Sequence, residues 1–181
     1  GIKNLIKFCK KRKLKLIYIS SIMALPARSN YGKIKLKCEE LVREYENSII
    51  IRPAVVTDKA GGIFKTLNNI FRFSPIFFIP GSGKYNMYSI NIENLTEFII
   101  KTKSIKTNEI IYAYDNGPVD FIDLLEIKNK IIISIPIKVL KILLLIPKLF
   151  GIHLKSISND GLNTLLEMPK IDFKHKNYRD F

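Results

Sequence analysis

Tyr31 and Lys35 stand four residues apart at the start of a stretch that reads as helix, so their side chains share one face. A serine pair, Ser20–Ser21, ends an apolar run just upstream. A phenol ordinarily ionises near pH ~10 and is a poor base at neutral pH. An ammonium group beside it favours the phenolate and brings the tyrosine into range for proton transfer. A serine hydroxyl opposite would hold the oxygen whose proton is exchanged. Alone, Tyr-x-x-x-Lys is a weak signal in a chain with 24 lysines, where a half-buried tyrosine beside a solvated lysine is the plain alternative. The order of the surrounding elements gives it weight.

Apolar residues at Ile2, Leu5, Ile6, Phe8 and Cys9, with lysines on the other face, predict an amphipathic helix over 2–13. The basic run Lys10–Lys13 ends it, as the helix dipole prefers. Leu14–Ile19 predicts a strand apolar enough to be covered on both faces of a parallel sheet. Asn30 is positioned to cap a helix from Tyr31 to about Glu46, with Lys37, Glu39, Glu40 and Arg43 on its outer side. Ile49–Ile51 predicts the next strand, stopped by Arg52-Pro53. Helix, strand, helix, strand with short links is the pattern of an α/β layer with a parallel sheet. Ligand sites in such sheets lie at the carboxyl ends of strands, where the serines fall.

After Pro53 the texture changes. Gly61–Gly62 reads as a hinge and 63–71 as helix; 77–79 and 86–92 read as extended segments around the turn Pro80-Gly81-Ser82-Gly83. A helix is expected over 95–102, a strand over 109–114, a turn at Asp115-Asn116-Gly117-Pro118 and a helix over 121–128. Ile131–Phe150 is long and apolar enough to span a bilayer, but Lys138, Lys141 and Lys148 fall on one arc of a helix opened by Pro136 and broken at Pro147. Three lysines would make a span costly. Packing on the domain is the first reading, with peripheral membrane contact through 136–150 as the alternative.

The net charge of +14 raises the question of nucleic acid or anionic membrane as partner. With 24 Lys against 6 Arg and 32 Ile spread evenly, the charge reads as a general compositional bias. No arginine and aromatic cluster suited to nucleic acid is present, so none is expected as partner. The positive field would still draw an anionic substrate such as a nucleotide diphosphate. Cys9 and Cys38 fit neither a metal spacing nor a disulfide framework, which makes a reducing cytoplasm the default location. His153 and His175 lack partners at ligand spacing, so no metal is expected. Asp115, Asp120 and Asp123 read as turn and cap residues, Cys38 as a half-buried thiol, and Arg72 and Lys84 as solvated, with a diphosphate contact as their alternative.

The text Leu16-Ile-Tyr-Ile-Ser-Ser21, then Tyr31-Gly-Lys-Ile-Lys35, then Ile50-Ile-Arg-Pro-Ala-Val-Val56 resembles the extended short-chain dehydrogenase/reductase family, and within it the NAD-dependent epimerase/dehydratase group acting on nucleotide sugars. Ile79-Pro-Gly-Ser-Gly and Ser89-Ile-Asn-Ile-Glu-Asn-Leu continue the likeness. The resemblance implies the C-terminal portion of a Rossmann-like doubly wound parallel sheet over 1–60. A small mixed substrate-binding region would follow over 61–181, with some strands and helices returning to the Rossmann sheet. It implies NAD or NADP as cofactor, a nucleotide sugar as substrate, a homodimer and a place in polysaccharide biosynthesis. Tyr31 would be the acid/base, Lys35 would steady it and bond the nicotinamide ribose, and Ser21, with Ser20 as near alternative, would hold the substrate oxygen. Pro53, Ala54 and Val55 would border the nicotinamide.

Three departures qualify that reading. No Gly-x-x-Gly-x-x-Gly occurs, so the helix N-terminus that cradles the cofactor's pyrophosphate is missing from this text. The loop between Ser21 and Tyr31 is short, and Val56-Thr57-Asp58 stands where many members have Val-Tyr-Gly. The chain, opening on Gly1, therefore reads as a fragment that would neither bind NAD measurably nor turn over alone. A sheet deprived of its first strands would expose an apolar edge and limit solubility. A non-catalytic or membrane-peripheral remnant of the same fold is the rival, and action on a steroid or other carbonyl compound a third option.

Overall fold

Three successive isoleucines, Ile49, Ile50 and Ile51, are each almost wholly removed from solvent. Neighbouring residues of a strand point to opposite faces, so this strand is covered on both sides. Each such side chain contributes about 1.5–3 kcal/mol of burial. It is the middle strand of a parallel sheet. The computed structural model describes residues 1–25, 27–58, 72–125, 130–143, 162–163, 166, 168–169, 171 and 175–181.

The chain opens with helix α1 (Ile2–Arg12), closed by Lys13 in the left-handed conformation, whose amide reaches back to the carbonyls of Cys9 and Lys10. Strand β1 (Leu16–Ile19), a single 3-10 turn (Ile22–Ala24), helix α2 (Asn30–Arg43) and strand β2 (Ser48–Pro53) come next. Later come β3 (Val55–Thr57), β4 (Ile76–Pro80), β5 (Asn86–Asn91), helix α3 (Ile92–Lys101), β6 (Glu109–Ala113) and β7 (Asn116–Asp120). The last elements are β8 (Ile131–Ile135), helix α4 (Ile137–Leu143) and a 3-10 turn at Tyr178–Asp180. The central sheet has the order β1-β2-β6, all parallel, with Ile19 opposite Ile51 and Pro53 opposite Ala113. Its strands therefore end at one common edge. A second sheet has the order β3-β5-β7, and β4 and β8 form a parallel pair.

The chain divides into two compact units, one of residues 1–56, 88–117 and 169–181, the other of 57–87 and 118–168. In the first, Ile6 and Cys9 of α1, Leu16 of β1, Val42 of α2 and Ile50 of β2 form a core cluster, with Tyr45 and Leu41 against it. Lys15 ties α3 to this unit, its ammonium donating to the carbonyls of Thr102 (2.9 Å), Lys103 (3.0 Å) and Ile105 (2.6 Å). In the second unit, the Lys130 ammonium donates to the carbonyl of Ser74 (3.0 Å), beside the first pairing of β4 with β8.

Several expectations need correction. Ser29, not Asn30, caps α2: its hydroxyl accepts from the Gly32 amide at 3.1 Å, and Asn30 is already helical. Glu39, expected on the outer side, is 1% exposed, because a buried arginine and a serine hydroxyl hold its carboxylate. The turn expected over 115–118 is the entry to β7. The helix expected over 121–128 is a 3-10 turn at Phe121–Leu124, with 126–129 outside the described residues. Ile131–Ile135 is strand, in keeping with a run of β-branched residues. Pro136 then precedes α4 as expected, while Pro147 and Lys148 lie outside the described residues. So do the 61–62 hinge, the 63–71 helix and His153.

Candidate active site

Because β1, β2 and β6 are parallel and in register, Ser20–Ser21, Arg52–Pro53 and Ala113 all lie at the carboxyl edge of the sheet. Ser20 continues the pairing beyond β1, its amide donating to the Ile51 carbonyl at 2.7 Å. Ser21 is extended and caps the 3-10 turn, its hydroxyl oxygen accepting from the Met23 amide at 3.2 Å. The chain then turns through Ala27, whose φ of 56° is left-handed and costs a non-glycine residue about 1 kcal/mol. From there it enters α2.

Gly32 lets this turn close. A Cβ there would collide with the Met23 carbonyl oxygen and stand 3.2 Å from the Ala27 Cα. The first turn of α2 thus rests directly against the segment after Ser21. Tyr31, the second residue of α2, keeps 43% of its surface exposed. The Lys35 ammonium lies 5.7 Å from the centre of the Tyr31 ring and 5.5 Å from that of Tyr18. It donates to the Ile19 carbonyl at 3.0 Å. Lysine and tyrosine therefore share a helix face, and the lysine is anchored to the strand that delivers the serines. Burial pushes the Tyr18 phenol up, and the hydrogen bond with Cys38 adds to that.

Ser20 faces elsewhere. Its hydroxyl donates to Glu39 Oε1, whose carboxylate also receives Arg52 Nε (3.0 Å, on Oε1) and Nη2 (2.6 Å, on Oε2). Arg52 Nη1 donates to the Tyr112 hydroxyl at 2.6 Å. Burial by itself would pull the Arg52 guanidinium down, but the hydrogen bonds and charge of Glu39 outweigh it and the pKa is raised. Burial likewise pushes the Tyr112 phenol up against the opposing pull of Arg52. Residue type and spacing alone did not single out Glu39, Gly32 or Tyr112. The signal was there for Glu39, since 31, 35 and 39 repeat at four-residue spacing along one helix stripe.

Pro53 ends β2, and the Ala54 amide donates to the Ala113 carbonyl at 2.9 Å. Ala54 is buried, and Val55, half-buried, begins β3. The structure thus brings Ser21, Tyr31, Lys35 and Pro53 to one sheet edge, with Ala54 and Val55 directly after it. His175 packs its ring 4.6 Å from that of Tyr112. Among the described residues, no cluster of His, Cys, Asp or Glu could hold a metal.

A parallel sheet with these groups at its carboxyl edge defines a Rossmann-like α/β protein, and the fold is that of solved structures of the NAD-dependent epimerase/dehydratase family. Pal from Bacillus thuringiensis is similar at 19% identity and a TM-score of 0.62, over 96% of this chain and 63% of that one. The dTDP-glucose 4,6-dehydratase of Bacillus anthracis, solved with NAD, matches at 13% identity and 0.63, over 75% and 54%. The UDP-glucuronic acid 4-epimerase of Bacillus cereus, also with NAD, matches at 18% and 0.59, over 94% and 61%. The chain therefore spans between about half and 63% of the length of these proteins. No family model and no curated protein sequence matches it.

Proposed function

We propose that this chain carries the proton-transfer end of an NAD(P)-dependent epimerase, dehydratase or reductase site for a nucleotide sugar. The observation that carries the reading is the Lys35 ammonium, placed beside the Tyr31 ring and bonded to the carbonyl just before the serine pair. In this scheme Ser21 donates its hydroxyl proton to the substrate oxygen and holds it. Tyr31 takes the proton of that oxygen as the carbon becomes a carbonyl, and returns it in the reverse direction. Lys35 supports the phenolate and offers its ammonium to a ribose hydroxyl.

The residues present fit the reacting end of a nicotinamide cofactor: an exposed tyrosine, an anchored ammonium and the strand-end backbone of Pro53, Ala54 and Val55. When bound, such a cofactor supplies the hydride acceptor or donor. The sequence holds no glycine fingerprint for a pyrophosphate, so the reading concerns the reacting end alone.

In the natural gene product, Tyr31→Phe is expected to lower turnover about 10²–10⁴-fold while NAD(P) affinity stays within about twofold. Steady-state kinetics with a panel of nucleotide sugars, beside calorimetric cofactor titration, makes the check. Unchanged turnover would end this mechanism. The short loop between Ser21 and Tyr31 favours a second reading, a fold retained for binding without turnover; it predicts that no substrate of the panel reacts with the unaltered protein. For a membrane-peripheral form of that reading, no helix among the described residues is long and apolar enough to cross a bilayer. Sedimentation with anionic vesicles, lost when Lys138 and Lys141 become Glu, is its test.

A further inference from the structure

Glu39 is a wholly buried acidic side chain of α2, and it serves three elements at once. Its carboxylate receives Ser20 from the end of β1 and Arg52 from the end of β2, through three donor groups. Arg52 extends the chain of contacts to Tyr112 of β6. Ser20, Glu39 and Arg52 are each under 5% exposed.

A buried ion pair is poor evidence of a device for stability, because well-packed apolar residues of similar volume often do as well or better. What such a pair supplies is directionality: it is satisfied only in one relative placement of its partners. Here the placement matters along a line. Lys35 bonds the carbonyl of Ile19 and Glu39 bonds the hydroxyl of Ser20, so consecutive positions along one stripe of α2 grip the last residue of β1 and the residue after it. A turn of the helix about its axis would break both. Successive residues of an extended segment point to opposite sides, so holding Ser20 toward Glu39 turns Ser21 the other way.

We propose that Glu39 is a positioning residue: by fixing Ser20 and Arg52 it sets the rotation of α2 against the strand ends and so the placement of Tyr31 relative to Ser21. The proposal rests on the reading of Ser21, Tyr31 and Lys35 as the site, and it assigns Ser20 an internal role in place of a substrate contact.

Three variants of the full protein test it. Ser20→Ala removes one link and leaves the ion pair, and Ser20→Thr keeps a hydroxyl. Glu39→Leu/Arg52→Leu removes the charges together, so no unpaired charge remains buried. Thermal midpoints, backbone amide NMR shifts of Ser21, Tyr31 and Lys35 without any cofactor, and kcat and KM are read for each. In Ser20→Ala and the double variant the three amides should shift. Their kcat should fall by up to about 100-fold, with KM changed by less than about threefold, at a midpoint close to that of the unaltered protein. Ser20→Thr should restore both shifts and kcat. Unmoved shifts and an unchanged kcat in a folded Ser20→Ala protein overturn the proposal, whether or not the double variant folds. The NMR readings need no turnover, so their failure sinks the positioning alone, whereas an indifferent Tyr31→Phe sinks the redox reading and leaves the positioning standing.

Discussion

Gly32 occupies a point where the backbone of α2 comes so near the Met23 carbonyl that no side chain fits. Gly32→Ala would force the helix start outward, and backbone on the far side cannot yield as a flexible side chain does. The change should destabilise the protein by about 1–3 kcal/mol, read as a lower midpoint in urea at unchanged slope. It should also move Tyr31, the neighbouring residue, away from the segment after Ser21. At this scale the sequence was legible where residue type and spacing encode chemistry. Tyr31, Lys35 and the serines could be named because their spacing implies a shared face and a strand end. Glu39 was misplaced because charge alone argued for solvent, and its buried partner Arg52 is thirteen positions away in sequence. The ion pair itself leaves no local mark, and the only local signal for Glu39 was its place four residues after Lys35 on the same stripe.

Among the elements, helix α3 ends under the ammonium of Lys15, which meets three carbonyls. Thr102 is the C-cap of α3 and Lys103 and Ile105 lie just beyond it, so the cation sits against the partial negative charge of the helix end. Lys15→Met keeps the aliphatic stem and removes the donor. It is expected to lower stability by about 1 kcal/mol, visible as a drop in thermal midpoint and faster amide exchange in the last turn of α3. Helix α1 was readable from apolar periodicity and strands β1 and β2 from short apolar runs, and α2, α3 and β6 were also placed. Their ends moved by a few residues, most instructively at α2, where Ser29 outcompeted Asn30 for the cap. The segment 131–135 was harder. Five residues rich in isoleucine suit a buried helix or a strand equally, and only pairing with β4 decides between them.

For the whole molecule, the C-terminal residues return to the first unit. Asn177 forms a bridge with Tyr112, Lys176 pairs with Glu109 at 2.6 Å, and Tyr178 donates to Asp115. Asp115 is the anchor of that return. Burial alone would raise its carboxyl, but hydrogen bonds from the Asn91 amide (2.7 Å), Tyr178 and Asn94, with the charge of Arg179, hold it below its ordinary value of 3.8. A carboxyl whose folded value is depressed contributes stability that is complete above its unfolded value and lost as pH falls through the folded one. The thermal midpoint should therefore decline with acid below about pH 4, and Asp115→Asn should flatten that decline while lowering the midpoint at neutral pH. Equal slopes for both proteins would remove Asp115 from the account. The C-terminal return was not legible in sequence, since it depends on contacts between residues more than sixty positions apart. The α/β class was, because the order of apolar runs and amphipathic helices is written locally, and the fold matches solved structures at identities of 13–21%.

The stripe of Tyr31, Lys35 and Glu39 has a bearing on which length changes the gene could absorb. Each residue added to a helix rotates the part beyond it by about 100° and advances it about 1.5 Å. One codon inserted between 35 and 39 would swing the carboxylate off Arg52 while the phenol and ammonium stayed aligned. One inserted between 31 and 35 would separate the phenol from both. Insertions and deletions in this region should thus be borne only ahead of Ser29 or beyond Arg43, and the interior of α2 behaves as a ruler whose graduations cannot be respaced.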